Sequence, residues 1–89
     1  MKNNIVSLWF EWFYQSWKNF NPGNLIENNL TTSQISEKFV HENQKKLIEF
    51  SNKFNENEYD VLVEFMKLSE SELLILKYFL KLIKSNTTK

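Results

Sequence analysis

Gly23 is the only glycine in the chain, and its neighbour Pro22 is the only proline. Across 89 residues the strongest turn signal therefore occurs once, at Asn21-Pro22-Gly23. Hairpin-built sheets need residues that accept a positive φ, at a spacing of about 8–12 residues, and strand–helix alternation needs nearly as many breaks. This sequence predicts instead an all-α protein, a small bundle of three to four helices in a single domain spanning 1–89.

The first helix is expected over about 4–20, started by Asn3 or Asn4 and ended by the Pro-Gly pair. Ser7, Glu11, Gln15 and Lys18 are spaced four, four and three apart and form one narrow polar stripe. Aromatic and aliphatic side chains occupy almost all the rest, including Trp9, Phe10, Trp12, Phe13, Tyr14, Trp17 and Phe20. Residues 21–30 read as a connector, with at most a turn of helix at Leu25-Ile26.

Two later starts carry a fuller signature. Thr31 with Gln34, and Ser69 with Glu72, fit capping boxes, in which each side chain covers a backbone N–H of the other residue. Leu30 with Ile35, and Leu68 with Leu73, fit the hydrophobic staples around them. The first box opens a helix expected over 31–54, with Ile35, Phe39, Leu47, Phe50 and Phe54 inward and a break near 40–42 where the polar run HENQKK begins. A short helix follows over 57–68, started by Asn55 or Asn57, with Tyr59, Leu62, Phe65 and Met66 as its apolar set. The last is expected over 70–84, packing through a Leu73, Leu76, Leu80, Ile83 seam, with a frayed tail at 85–89.

Charge and cysteine content narrow the function classes. Eleven lysines balance eleven acids, so the basic surplus usual in a nucleic-acid binder is absent. The charges are unevenly placed: 56–72 carries six acids against Lys67, and 73–89 carries four lysines and no acid. Matching to the last helix's dipole accounts for much of this. Without cysteine there is no disulfide framework, thiolate nucleophile or cysteine-ligated zinc. With neither a targeting segment nor an apolar run long enough to span a bilayer, the expected location is the cytoplasm.

Catalysis is not expected. His41 is the one histidine and lies in a polar run, Asp60 is the one aspartate, and no HExxH, phosphate loop or calcium loop occurs. No cofactor and no metal site is expected. The leading reading is a small protein-binding regulator, inhibitor or accessory subunit acting by stoichiometric helix-face contact. Its partner-binding set is Trp9, Phe10, Phe13 and Trp17, on the argument that so small a core cannot cover nearly all of an aromatic helix. A protein partner or a homodimer would cover what remains.

Two alternatives come from other classes. A helix-turn-helix over 31–54 would place Ser36 where two helices touch and present Asn43, Gln44, Lys45 and Lys46 to DNA. Val40 at the usual turn-glycine position and the lack of any arginine weigh against it. The second alternative is a peripheral lipid-surface protein, with the first or last helix lying on the membrane.

Overall fold

The computed structural model describes residues 4–66 and 69–87. They form six helices and no strand: α1 (Ile5–Phe20), α2 (Pro22–Glu27), α3 (Thr32–Glu42), α4 (Gln44–Ser51), α5 (Glu56–Phe65) and α6 (Glu70–Thr87). The all-α class holds, while the expected count of three to four helices is too low. The connector after α1 contains a helix of its own, and the segment 31–54 is two helices divided at Asn43.

Asparagine and paired caps set these boundaries. Asn4 Oδ1 accepts from the backbone N–H of Val6 at 3.0 Å and of Ser7 at 3.3 Å, satisfying donors that the first turn leaves open. Asn21 ends α1 in the left-handed region at φ 55°, and Pro22 then opens α2, where its missing N–H costs nothing. The Thr31–Gln34 box closes at 2.8 and 3.1 Å. Asn55 and Glu58 form a second box, with both bonds at 2.9 Å, so α5 starts at 56. At Ser69 the backbone N–H donates to the Glu72 carboxylate at 3.3 Å, and the Glu72 N–H donates to the serine oxygen at 3.4 Å. Leu68, the expected staple partner of Leu73, lies outside the described residues.

Packing centres on α6, which lies against α3, α4 and α5. Its buried face is Ile75, Leu76, Phe79 and Ile83. The expected leucine seam is thus rotated: Leu76 and Ile83 are in the core, but Leu73 is exposed and Leu80 half-buried. Phe79 decides the rotation, because its ring fills the space between Trp9 at 5.6 Å and Phe54 at 5.1 Å. The helix also outlasts its expected end near Lys84. Asn86 Nδ2 donates to Ser51 Oγ at 2.9 Å, and Ser51 in turn donates to the Ile48 carbonyl at 2.7 Å, tying the last turn of α6 to α4.

The aromatic side of α1 completes the core. Trp9 stacks on Phe13 at 4.8 Å, Phe13 on Trp17 at 5.6 Å, and Trp17 on Phe20 at 5.7 Å. The i, i+4 and i+3 spacings put these rings in one row along the helix. Phe39 of α3 inserts beneath the row, edge-to-face with Phe13, Trp17 and Phe20 at ring-centroid separations between 5.2 and 5.6 Å. Inward placement of Ile35, Phe39, Leu47, Phe50 and Phe54 matches the expectation.

Candidate functional site

The narrow polar stripe of α1 faces solvent as its spacing implies: Ser7, Glu11, Gln15 and Lys18 are exposed. On either side of it the aromatic residues divide sharply. Trp9 and Phe13 are completely buried inside the chain, so a second chain cannot reach them. Of the four residues expected to meet a partner, Phe10 and Trp17 remain, both half-buried. The core therefore shields more of α1 than its size suggested. It does so because α3 and α4 both turn an aromatic residue toward α1: Phe39 at 5.6 Å from Phe13, and Phe50 at 5.4 Å from Trp12.

What stays open is displaced to the flanks of α1. Toward α5, Phe10 stacks on Tyr14 at 5.9 Å and 11° between planes, and Tyr14 is 54% exposed. Val61 and Phe65 of α5 stand beside them at 41% and 69% exposure, enclosing a groove of about 370 Å³. Phe65 was expected inward with Tyr59, Leu62 and Met66, but only those three are buried. At 3.6 residues per turn, Phe65 points about 90° away from the mean direction of that trio, which puts it on the rim. That angle was the available signal for Phe65; for Val61 no sequence signal stood out.

Toward α4 a second groove of about 850 Å³ runs along α1, with Leu8 and Trp12 on one wall and Phe50 on the other. Lys18, Lys46 and Lys53 line it, and Glu11 is the acid among its lining residues. Lys46 Nζ lies 5.7 Å above the Phe50 ring and 3.7 Å from the Glu49 carboxylate. Both Lys46 and Glu49 side chains are about half exposed, so this pair holds the ammonium loosely.

The residues expected to read DNA are partly committed elsewhere. Asn43 is half-buried at the joint between α3 and α4, where its amide donates to the Phe39 carbonyl at 2.9 Å. Gln44, Lys45 and Lys46 are exposed on α4. The joint itself is one residue, against the turn of about three to four residues that a helix-turn-helix uses to set its second helix across the first. Ser36 is buried, as a helix contact needs, but the helix that α3 packs on most extensively is α6.

Chemistry-bearing groups do not converge among the described residues. His41 is exposed at the end of α3 and Asp60 is exposed on α5. No set of three histidine, aspartate or glutamate side chains is placed to hold a metal among these residues. Among the described residues the one displaced titration belongs to Tyr59, whose hydroxyl donates to the Leu76 carbonyl at 3.1 Å. Burial raises its pKa above the ordinary 10.0, and the neighbouring Asp60 charge adds to the rise. This tyrosine staples α5 to α6 and lines neither groove. No described helix is long and apolar enough to cross a membrane. Comparison with known proteins returned no matching family model, no matching curated protein and no matching solved structure.

Proposed function

We propose that this chain is a non-enzymatic protein-binding module, a regulator, inhibitor or accessory subunit that works by stoichiometric contact through its helix faces. The observation that carries this reading is Phe65, 69% exposed at the edge of the groove it forms with Val61, Phe10 and Tyr14. A phenylalanine left in water forgoes burial worth about 1.5–3 kcal/mol. Clustered with a second exposed aromatic ring, it forms the kind of apolar patch that marks contact sites, and aromatic side chains anchor the hot spots of such sites. His41 and Asp60 take no chemical role in this reading; they are exposed on different helices, α3 and α5.

The test is affinity capture from the source cell with wild type and a Phe65→Ser variant in parallel. The expected result is a protein retained in stoichiometric amount by wild type and lost with the variant. Equal retention by a folded Phe65→Ser variant would show that this groove is not the contact surface.

A further inference from the structure

We infer that the chain's own contact partner includes a second copy of itself, with the acidic outer face of α5 from one copy seated in the lysine-lined groove between α1 and α4 of the other. This rests on the protein-binding reading above and names an occupant for its surface.

The two surfaces complement one another in charge and in the placing of apolar side chains among the charges. Glu56, Asp60 and Glu64 are exposed on α5 at four-residue intervals, which stacks them in one stripe. Beside that stripe lie Val61 and Phe65, so α5 presents an acidic helix with apolar anchors at i and i+4. The α1/α4 groove presents the converse: Lys18, Lys46 and Lys53 around an apolar floor of Leu8, Trp12 and Phe50. Lys18 and Lys53 make no ion pair among the described residues, and Lys46 has only its half-exposed contact with Glu49. Three carboxylates thus meet three ammonium groups, with Glu11 as the acid to be accommodated.

A nucleic-acid strand fits this groove less well. Stacking a base needs an open ring face, but Phe50 is only 8% exposed and Trp12 is enclosed by Trp9, Phe13, Phe39 and Phe50. The open apolar residues of the groove are the aliphatic Leu8, at 43% exposure, and Tyr14, at 54%, whose ring is already stacked on Phe10, so the groove lacks the row of free ring faces that successive bases need.

Topology makes the contact self-closing. Leu8 and Trp12 stand on the α4 flank of α1, whereas Phe10 stands on the α5 flank. A two-fold axis running along α1 exchanges these flanks, so each acidic stripe meets the other copy's lysines at once. The pairing is then isologous and stops at a dimer, where a one-sided contact of the same surfaces would propagate into a chain. A two-fold axis across α1 would instead set acid against acid, so the charge pattern selects the first arrangement.

Charge exchange tests this directly, by sedimentation over a range of micromolar concentrations. Wild type is expected to dimerise, with a dissociation constant that rises at least about tenfold when salt shortens the Debye length from roughly 14 to 4 Å. A Lys46→Glu/Lys53→Glu variant and an Asp60→Lys/Glu64→Lys variant should each be monomeric, with helical circular dichroism showing that both fold. Mixed one to one they should associate again, because both contacts in the mixed pair regain opposite charges. A wild type that stays monomeric, a mixture that fails to associate, or a dimer indifferent to salt and to both double variants would each overturn the inference. If self-association fails while Phe65-dependent capture of a different protein persists, the protein-binding reading survives without it.

Discussion

Asn21 turns the chain at φ 55°, while Gly23, two residues later, lies within α2 without a positive φ. The residue freest to adopt the left-handed region is therefore not the one that uses it. A Cβ added at Gly23 would meet nothing closer than the Asn21 side-chain oxygen at 3.9 Å, an ordinary contact. Gly23→Ala is accordingly expected to stabilise the fold by about 0.4–1 kcal/mol, by reducing the freedom of the unfolded chain and favouring the helix. Asn21→Val should act in the opposite sense, since a β-branched residue resists positive φ. Urea midpoints at constant slope measure both changes.

The same relationship explains what the sequence hid. A shortage of glycine correctly pointed away from sheets, but twelve asparagines supplied turns that the glycine count did not register. Asn21 and Asn29 both take positive φ, Asn4 and Asn55 cap helices, and Asn43 sits at the joint between α3 and α4. Boundaries backed by local chemistry, such as the boxes at Thr31 and Ser69, were readable because donor and acceptor lie three residues apart. The buried side of α6 was legible in its lysines and not in its leucines: Lys77, Lys81 and Lys84 recur at i, i+4 and i+7 and mark an outer face on which Leu73 also falls. The Leu73, Leu76, Leu80 and Ile83 seam lies beside that stripe, whereas Phe79 lies opposite it and packs against Trp9 and Phe54. The aromatic character of the candidate contact face was legible in α1, but its position was not, since Phe39 and Phe50 cover Phe13 and Trp12 from distant parts of the chain.

That rotation of α6 separates two leucines of the expected seam. Leu76 is fully buried, and Leu76→Ala is expected to cost about 2–5 kcal/mol through lost transfer energy and the cavity left behind. Leu73 is 39% exposed, and Leu73→Ala should cost less than about 1 kcal/mol. Equal losses in a denaturant titration would place the seam back at its sequence-expected register.

Tyr59 should make stability fall on the alkaline side. Its folded-state pKa lies above the ordinary 10.0 because burial disfavours the phenolate and the Asp60 charge opposes it further. The folded state then binds more protons than the unfolded state above that value, so the stabilising contribution is complete below pH 10 and is lost as pH rises toward the folded pKa. Tyr59→Phe removes this component and also the 3.1 Å bond to the Leu76 carbonyl, at a cost of about 0.5–1.5 kcal/mol near neutral pH. Thermal melts of both proteins across the alkaline range should therefore converge as pH rises. Parallel curves would show that the hydroxyl is not the group responsible.

Trp9 carries a different tension. Its indole nitrogen is buried with no hydrogen-bond partner among the described residues, while its ring packs on Phe13 and Phe79. An unsatisfied donor costs about 1–3 kcal/mol, and that cost disappears in Trp9→Phe, partly offsetting the smaller ring. The net loss is expected to stay below about 1.5 kcal/mol, against about 3–5 kcal/mol for Trp9→Ala, which discards the packing as well. A Trp9→Phe variant as unstable as the alanine variant would mean that the indole N–H is well paired after all.

Phe39 and Phe65 are the same residue type in opposite circumstances, and together they separate folding from binding. Phe39 is fully buried beneath the α1 ring row, and Phe39→Ala is expected to cost about 3–5 kcal/mol, a large fraction of the stability of a domain this small. Phe65 is 69% exposed at the end of α5, and Ser has nearly the same helix propensity, so Phe65→Ser should leave the midpoint within about 0.5 kcal/mol of wild type. Association should reverse that order. A Phe39 variant that still folds at low temperature keeps its exposed groove residues, so its contact is expected to survive. Phe65→Ser removes the anchor from a folded chain, and its contact should weaken by at least about tenfold, the scale of one aromatic hot spot. Measuring both variants in the same denaturation and sedimentation experiments checks the pair. If Phe65→Ser destabilises as much as Phe39→Ala, Phe65 belongs to the fold, and the groove between α1 and α5 loses its claim as a contact surface.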